Sequence, residues 1–127
     1  MKLYLLLTMI FLHIVDDYYL QGFLASLKQK SWWEKNASDK LYEKDYIMAL
    51  LEHAFSWTFM IMITPVIYIY INRSPMPIDY ILPTFICNWL IHAYVDNLKA
   101  NNHKINLIQD QSAHLIQIII TWALFIA

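Results

Sequence analysis

The sequence predicts an all-α protein, a four-helix transmembrane bundle that forms a single domain over residues 1–127. Hydrophobic residues make up 59% of the chain and charged residues only 15%, whereas a soluble domain carries about a quarter charged residues. The single glycine disfavours a turn-rich β protein. The apolar residues are concentrated in four long runs, and each is close to the roughly 20 helical residues that a bilayer core requires.

The four predicted helices lie near residues 2–27, 44–71, 78–100 and 106–127. The first run is too long, and too polar at its centre, for a cleaved signal peptide. Pro65 falls inside the second helix, where we expect a kink. Pro75 and Pro77 mark the turn between the second and third helices.

Basic residues predict the orientation. Lysines are frequent in the loop 28–43, which also carries Trp32 and Trp33, and two more lie between the third and fourth helices. The opposite side has only Lys2 and Arg73. The positive-inside rule therefore places the loop in the cytoplasm and both termini outside. The tryptophans suit either an interfacial anchor or a solvated linker.

Histidine and aspartate side chains lie inside these apolar helices, mostly four residues apart. This spacing places both members of a pair on one helix face. With the predicted topology, all four helices bring such groups to a similar depth. Each aspartate costs on the order of 2.5–3.5 kcal/mol at mid-membrane, so the carboxylates must be paired, protonated or bound to a cation. The set is His13, Asp17, His53, His92, Asp96, Asp110 and His114.

This set suits a divalent metal, and zinc first, because imidazole and carboxylate together are ligands for zinc, iron or manganese. Structural zinc uses four ligands, so seven candidates indicate one ion with supporting residues, or two ions. Two divalent ions would be balanced by three aspartates and one hydroxide. A metal-free proton-sharing network and simple interhelical hydrogen bonding are the alternatives.

Neighbouring polar residues receive supporting roles. His53 is a candidate ligand or general base. Lys99 lies on the face of His92 and is a candidate to hold a phosphate or carboxylate of a substrate. Asp16 points away from the Asp17 face and is interpreted as an orienting neighbour. Gln111 is a candidate to hydrogen-bond a ligand or another helix.

The segments HIVDDYYLQ, LLEHAFSWT, HAYVDNLK and DQSAH together resemble a family of small phage and bacterial membrane proteins. Its pattern is H-x3-D-[FY]-x-L-Q, a lone histidine, H-x3-D-x2-K and D-Q-x2-H, and Lys28 corresponds to a further lysine. The resemblance implies a phage or prophage origin and a bacterial inner membrane, but no activity. The repeated H-x3-D is also similar in spacing to helical zinc phosphoesterases. The matching residues are His13, Asp17, Tyr18, Leu20, Gln21, His53, His92, Asp96, Lys99, Asp110, Gln111 and His114.

These observations favour a metal-dependent membrane hydrolase that acts on a phosphoester or lipid-linked substrate at the cytoplasmic leaflet. The first alternative is a non-enzymatic phage membrane effector or interaction protein whose metal or His/Asp network only stabilises the bundle. A proton or metal-ion conductor is disfavoured, because the outer halves of the helices are almost purely apolar. A net charge of -1 without a basic stripe gives no reason to expect nucleic acid. The oligomeric state is left open.

Overall fold

The computed structural model describes residues 1–72 and 78–127. The predicted all-α class is confirmed, and the described residues contain no strand. A π-helical turn, Val15–Leu20, follows the first helix, and 3-10 turns at Lys40–Tyr42 and Ile78–Tyr80 precede the fourth and fifth. The helices are α1 Lys2–Ile14, α2 Leu24–Leu27, α3 Lys30–Asn36, α4 Asp45–Asn72, α5 Ile81–Ala100 and α6 Leu107–Phe125.

The first predicted helix is interrupted where the sequence suggested continuity. After the π-helical turn, Gly22 adopts a φ of +46°, a left-handed conformation that costs a residue without a Cβ atom little. The predicted loop 28–43 also contains the short helix α3. α4 continues through Pro65 as one helix. The predicted turn at Pro75 and Pro77 lies outside the described residues.

The long helices enclose a common interior. α4 packs against α1, α5 and α6, and α6 also contacts α1 and α5. The start of α1 lies beside the end of α6, because Lys2 Nζ donates to the carbonyl of Ala127 at 2.7 Å and Trp122 Nε1 donates to the carbonyl of Lys2 at 3.0 Å. The two helices therefore run antiparallel.

The distribution of polarity is the reverse of that in a soluble protein. One part of the interior is an apolar cluster that includes Met9, Ile61 and Ile118, but most buried side chains among the described residues are polar. The outward faces expose large apolar side chains, among them Leu7, Phe11, Phe59, Leu90, Ile116 and Ile120. Apolar exposure on this scale is typical of surfaces that meet lipid or another protein.

Within residues 1–72 and 78–127, two stretches are long and apolar enough to cross a membrane. They are Lys2–Leu20 and Lys40–Asn72. α5 contains the charged residues Asp96 and Lys99, and α6 contains Asp110.

Local hydrogen bonds fix the segments that carry the polar interior. α6 begins with a capping box, in which Asn106 and Gln109 bond each other's backbone N–H through their side chains at 3.0 Å. This arrangement satisfies the first free N–H groups of the helix and places Asp110 in its first turn. Asn101, at the end of α5, accepts from the N–H of Lys30 and donates to the carbonyl of Lys28. It thereby holds the chain after α2 against α5.

Candidate metal centre

The histidine and aspartate side chains predicted as ligands meet in one cluster between α1, the π-helical turn, α4, α5 and α6. None of them is more than 6% exposed. Asp16, interpreted from the sequence as an orienting neighbour, is buried with them. The cluster is His13, Asp16, Asp17, His53, His92, Asp96, Asp110 and His114.

The π-helical turn explains how two consecutive aspartates both face inward. In a regular α-helix, adjacent side chains point about 100° apart, and a π-helical insertion re-aims them. Asp16 accepts a hydrogen bond from Ser56 Oγ at 2.6 Å, and its other oxygen lies 3.9 Å from Nδ1 of His53. Asp17 Oδ1 lies 3.3 Å from Nε2 of the same ring. Asp16 therefore lies on the Nδ1 side of the His53 ring, and Nε2 of that ring faces Asp17.

Asp17, His53 and His92 form the first group able to hold an ion, which we call the Asp17 site. The Nε2 atoms of His53 and His92 are 3.2 Å apart, and Asp17 Oδ1 lies 3.3 Å from the first and 4.0 Å from the second. Zinc ligands at 2.0–2.1 Å in a tetrahedron are about 3.3 Å apart. Asp17 Oδ1 is buried without a hydrogen-bond partner. Three atoms able to act as ligands thus converge at a spacing that fits a metal ion.

His92, Asp96 and His114 form the second group, which we call the Asp96 site. Nε2 of His114 lies 3.2 Å from Asp96 Oδ1 and 3.5 Å from Asp110 Oδ1. Lysines contact both carboxylates: Lys28 Nζ lies 2.6 Å from Asp96 Oδ2, and Lys99 forms an ion pair with Asp110 Oδ2. Asp96 and the neighbouring Asp110 are therefore each already paired with a lysine.

Lys28 is the residue whose position the sequence predicted least well. Its lysine-rich surroundings placed it in a solvated loop, but only 7% of it is exposed and it reaches Asp96 between the helices. The only sequence signal was the further lysine in the family pattern. Lys99, predicted to meet substrate, lies at the edge of the cluster with 28% of its side chain exposed.

His13 lies in the cluster, but both of its ring nitrogens are occupied. Trp57 Nε1–H, which can only donate, donates to His13 Nδ1 at 2.7 Å. Nε2 lies 3.0 Å from Gln111 Oε1, and the amide nitrogen of Gln111 donates to Asp17 Oδ2 and Asp110 Oδ2. Both nitrogens of His13 thus have hydrogen-bond partners, and His13 belongs to neither of the two groups whose atoms converge. Its ligand role stays a prediction.

The polar interior continues beyond His114, which differs from the expectation of apolar outer halves. His114 Nδ1 lies 3.3 Å from Gln117 Oε1, and the Gln117 amide donates to Asn88 Oδ1 at 3.2 Å. Asn88 in turn donates to Thr121 Oγ1 at 2.8 Å. This network could not be predicted from the sequence, because Gln117 is flanked by isoleucines. The network orients the His114 ring so that Nε2 faces the carboxylates.

No protein-family model, curated protein or solved structure matches this chain. An assignment of function therefore rests on the arrangement of these residues.

Proposed function

We propose that the protein is a metal-dependent membrane hydrolase that acts on a phosphoester or lipid-linked substrate at the cytoplasmic leaflet. In this proposal all four long helices cross the bacterial inner membrane and both termini lie outside. The observation that supports it best is the Asp17 site, where a partnerless carboxylate oxygen and two imidazole nitrogens converge inside an apolar helical bundle. A buried carboxylate without a partner is costly, and a bound cation removes that cost.

The residues divide into roles in this proposal. Asp17, His53 and His92 hold a divalent ion, most simply zinc, which supplies Lewis-acid chemistry to the scissile group. Asp16, held by Ser56, lies beside Nδ1 of His53, which as a ligand is no longer free to act as the general base. Lys99, the partly exposed cation, meets an anionic group of the substrate at the edge of the cluster.

A second candidate is a membrane effector or interaction protein without enzymatic activity, in which the ion only stabilises the bundle. It is favoured by the burial of the ligands, because Asp17, His53 and His92 expose less than a tenth of their side chains. A conductor gains some support from the network through Gln117, but that network ends at Thr121, near the apolar cluster of Ile118 and Phe125.

Turnover by zinc-loaded protein in liposomes separates the enzyme from the effector. We expect hydrolysis of a fluorescent phospholipid or of a chromogenic aryl phosphodiester, and at least a tenfold loss of kcat/KM in Lys99→Ala with bound zinc retained. Lys104→Ala is the matched control, because Lys104 is exposed in the following loop. If zinc-loaded protein turns over neither probe while chelation lowers its melting temperature, the effector is supported instead.

Cysteine labelling tests the proposed topology. Cys87 is exposed, so it is first replaced by serine. A cysteine at Ser38, in the lysine-rich segment, is expected to react only with reagents that reach the cytoplasm. A cysteine at Asp79, before α5, is expected to react with impermeant reagents from outside. The opposite pattern would reverse the orientation and move the site to the outer leaflet.

A further inference from the structure

We propose that the cluster binds one divalent ion, in the Asp17 site, and that Lys28 and Lys99 fill the place of a second ion beside Asp96 and Asp110. The proposal rests on the metal centre described above and deepens it. The sequence alone allowed one ion or two, and the proposal is that there is one.

The first argument is the unequal pairing of the carboxylates. Asp96 and Asp110 each contact the ammonium group of a lysine. Asp17 contacts no ammonium group: its Oδ2 accepts from the neutral amide of Gln111, and its Oδ1, like Oδ1 of Asp110, has no hydrogen-bond partner. The Asp17 site therefore still requires a cation, whereas the carboxylates beside His114 are already balanced.

The second argument is that the two sites share a ligand atom. Nε2 of His92 lies 4.0 Å from Asp17 Oδ1 and 3.9 Å from Asp96 Oδ1. A ring nitrogen has one lone pair, so it serves one ion at a time. The same atom lies 3.2 Å from Nε2 of His53, which lies 3.3 Å from Asp17 Oδ1 and 3.4 Å from Asp96 Oδ2. Each site uses His92 together with a second imidazole, His53 or His114. Only one of the two sites can therefore be filled, and the carboxylate of Asp17, which no lysine contacts, selects the Asp17 site.

The third argument is the total charge. Four buried aspartates bring four negative charges, and Lys28 and Lys99 return two positive charges. One divalent ion balances the remainder when the histidines are neutral. A second ion would leave an uncompensated charge of about two units in a low-dielectric interior, which is costly.

Metal analysis of a matched pair of variants tests the site. Asp17 and Asp110 both accept from Gln111 Nε2, so Asp17→Asn and Asp110→Asn make the same change on either side of one amide. Purified protein is saturated with zinc and desalted, and bound zinc is measured. We expect about one ion per chain in the unmodified protein and in Asp110→Asn, and at least a tenfold loss of zinc affinity in Asp17→Asn.

Lys28→Met provides the second test, because it frees Asp96 and is expected to admit a second zinc ion at high concentration, held by Asp96, Asp110 and His114 without His92. If this variant does not fold, the aspartate pair still decides. Two ions in the unmodified protein, or loss of the ion from Asp110→Asn alone, would overturn the single-ion arrangement and leave the hydrolase proposal standing. An unmodified protein that binds no divalent ion would overturn both.

Discussion

Replacement of Lys28 by methionine is expected to lower the free energy of unfolding by about 3–5 kcal/mol, because removing one member of a buried ion pair leaves the other charge without a partner. Lys28 Nζ is the cation in contact with Asp96 Oδ2, at 2.6 Å. Methionine retains most of the aliphatic volume, so the loss reports the charge and not a cavity. Chemical unfolding in detergent micelles, without added metal, measures it.

Lys30→Met is the matched control. Lys30 lies two residues further along and pairs with Glu34 at 3.7 Å, but both side chains are largely exposed. Exposed pairs of this kind contribute about 0–1 kcal/mol. Equal losses in the two variants would contradict the role of Lys28 inside the bundle. If Lys28→Met leaves Asp96 needing a cation, added zinc should recover part of the lost stability.

Replacement of Trp57 by phenylalanine is expected to cost about 2–4 kcal/mol, because it combines a smaller buried side chain with a lost hydrogen bond. Trp57 is fully buried and stacks on His92, with ring centroids 4.1 Å apart. Its N–H is the partner of His13 Nδ1. Without that donor the His13 tautomer is no longer fixed, and the orientation of Gln111 against Asp17 is lost with it. Supporting contacts of this kind are worth about 10–100-fold in metal affinity.

The control for this variant is Trp89→Phe, in which the indole N–H donates to the carbonyl of Leu51 at 2.8 Å, away from the ligands. We expect a loss of about 1 kcal/mol and unchanged zinc affinity. Zinc titration and unfolding are measured on both variants. An unchanged zinc affinity in Trp57→Phe would remove His13 and Gln111 from any role in positioning Asp17.

Helical spacing was sufficient to predict that the paired histidines and aspartates are buried together, but it did not predict that Asp16 joins them. Two residues four apart share a face in any α-helix, so the cluster follows once the helices are recognised. The roles inside it depend on neighbours from other helices. Nothing near His13 in the sequence indicates that Trp57 occupies its Nδ1 atom. Lys28 is misread for a related reason: its chain neighbours are polar, but the bend at Gly22 and the bonds of Asn101 return it to the interior.

The π-helical turn also links the orientation of α1 to the position of the two aspartates in the cluster. Val15–Leu20 contains the wider turn that presents both Asp16 and Asp17. α1, which precedes this turn, is therefore rotated relative to the aspartates in a way that a continuous α-helix would not allow. Loss of one residue here would return the turn to a regular α-helix, in which adjacent side chains point about 100° apart, so Asp16 and Asp17 could no longer both face the cluster. Insertions and deletions in this short stretch are therefore far more restricted than substitutions, although Tyr18 and Tyr19 in the same turn are exposed. Length, more than side-chain identity, is what this part of the chain has to preserve.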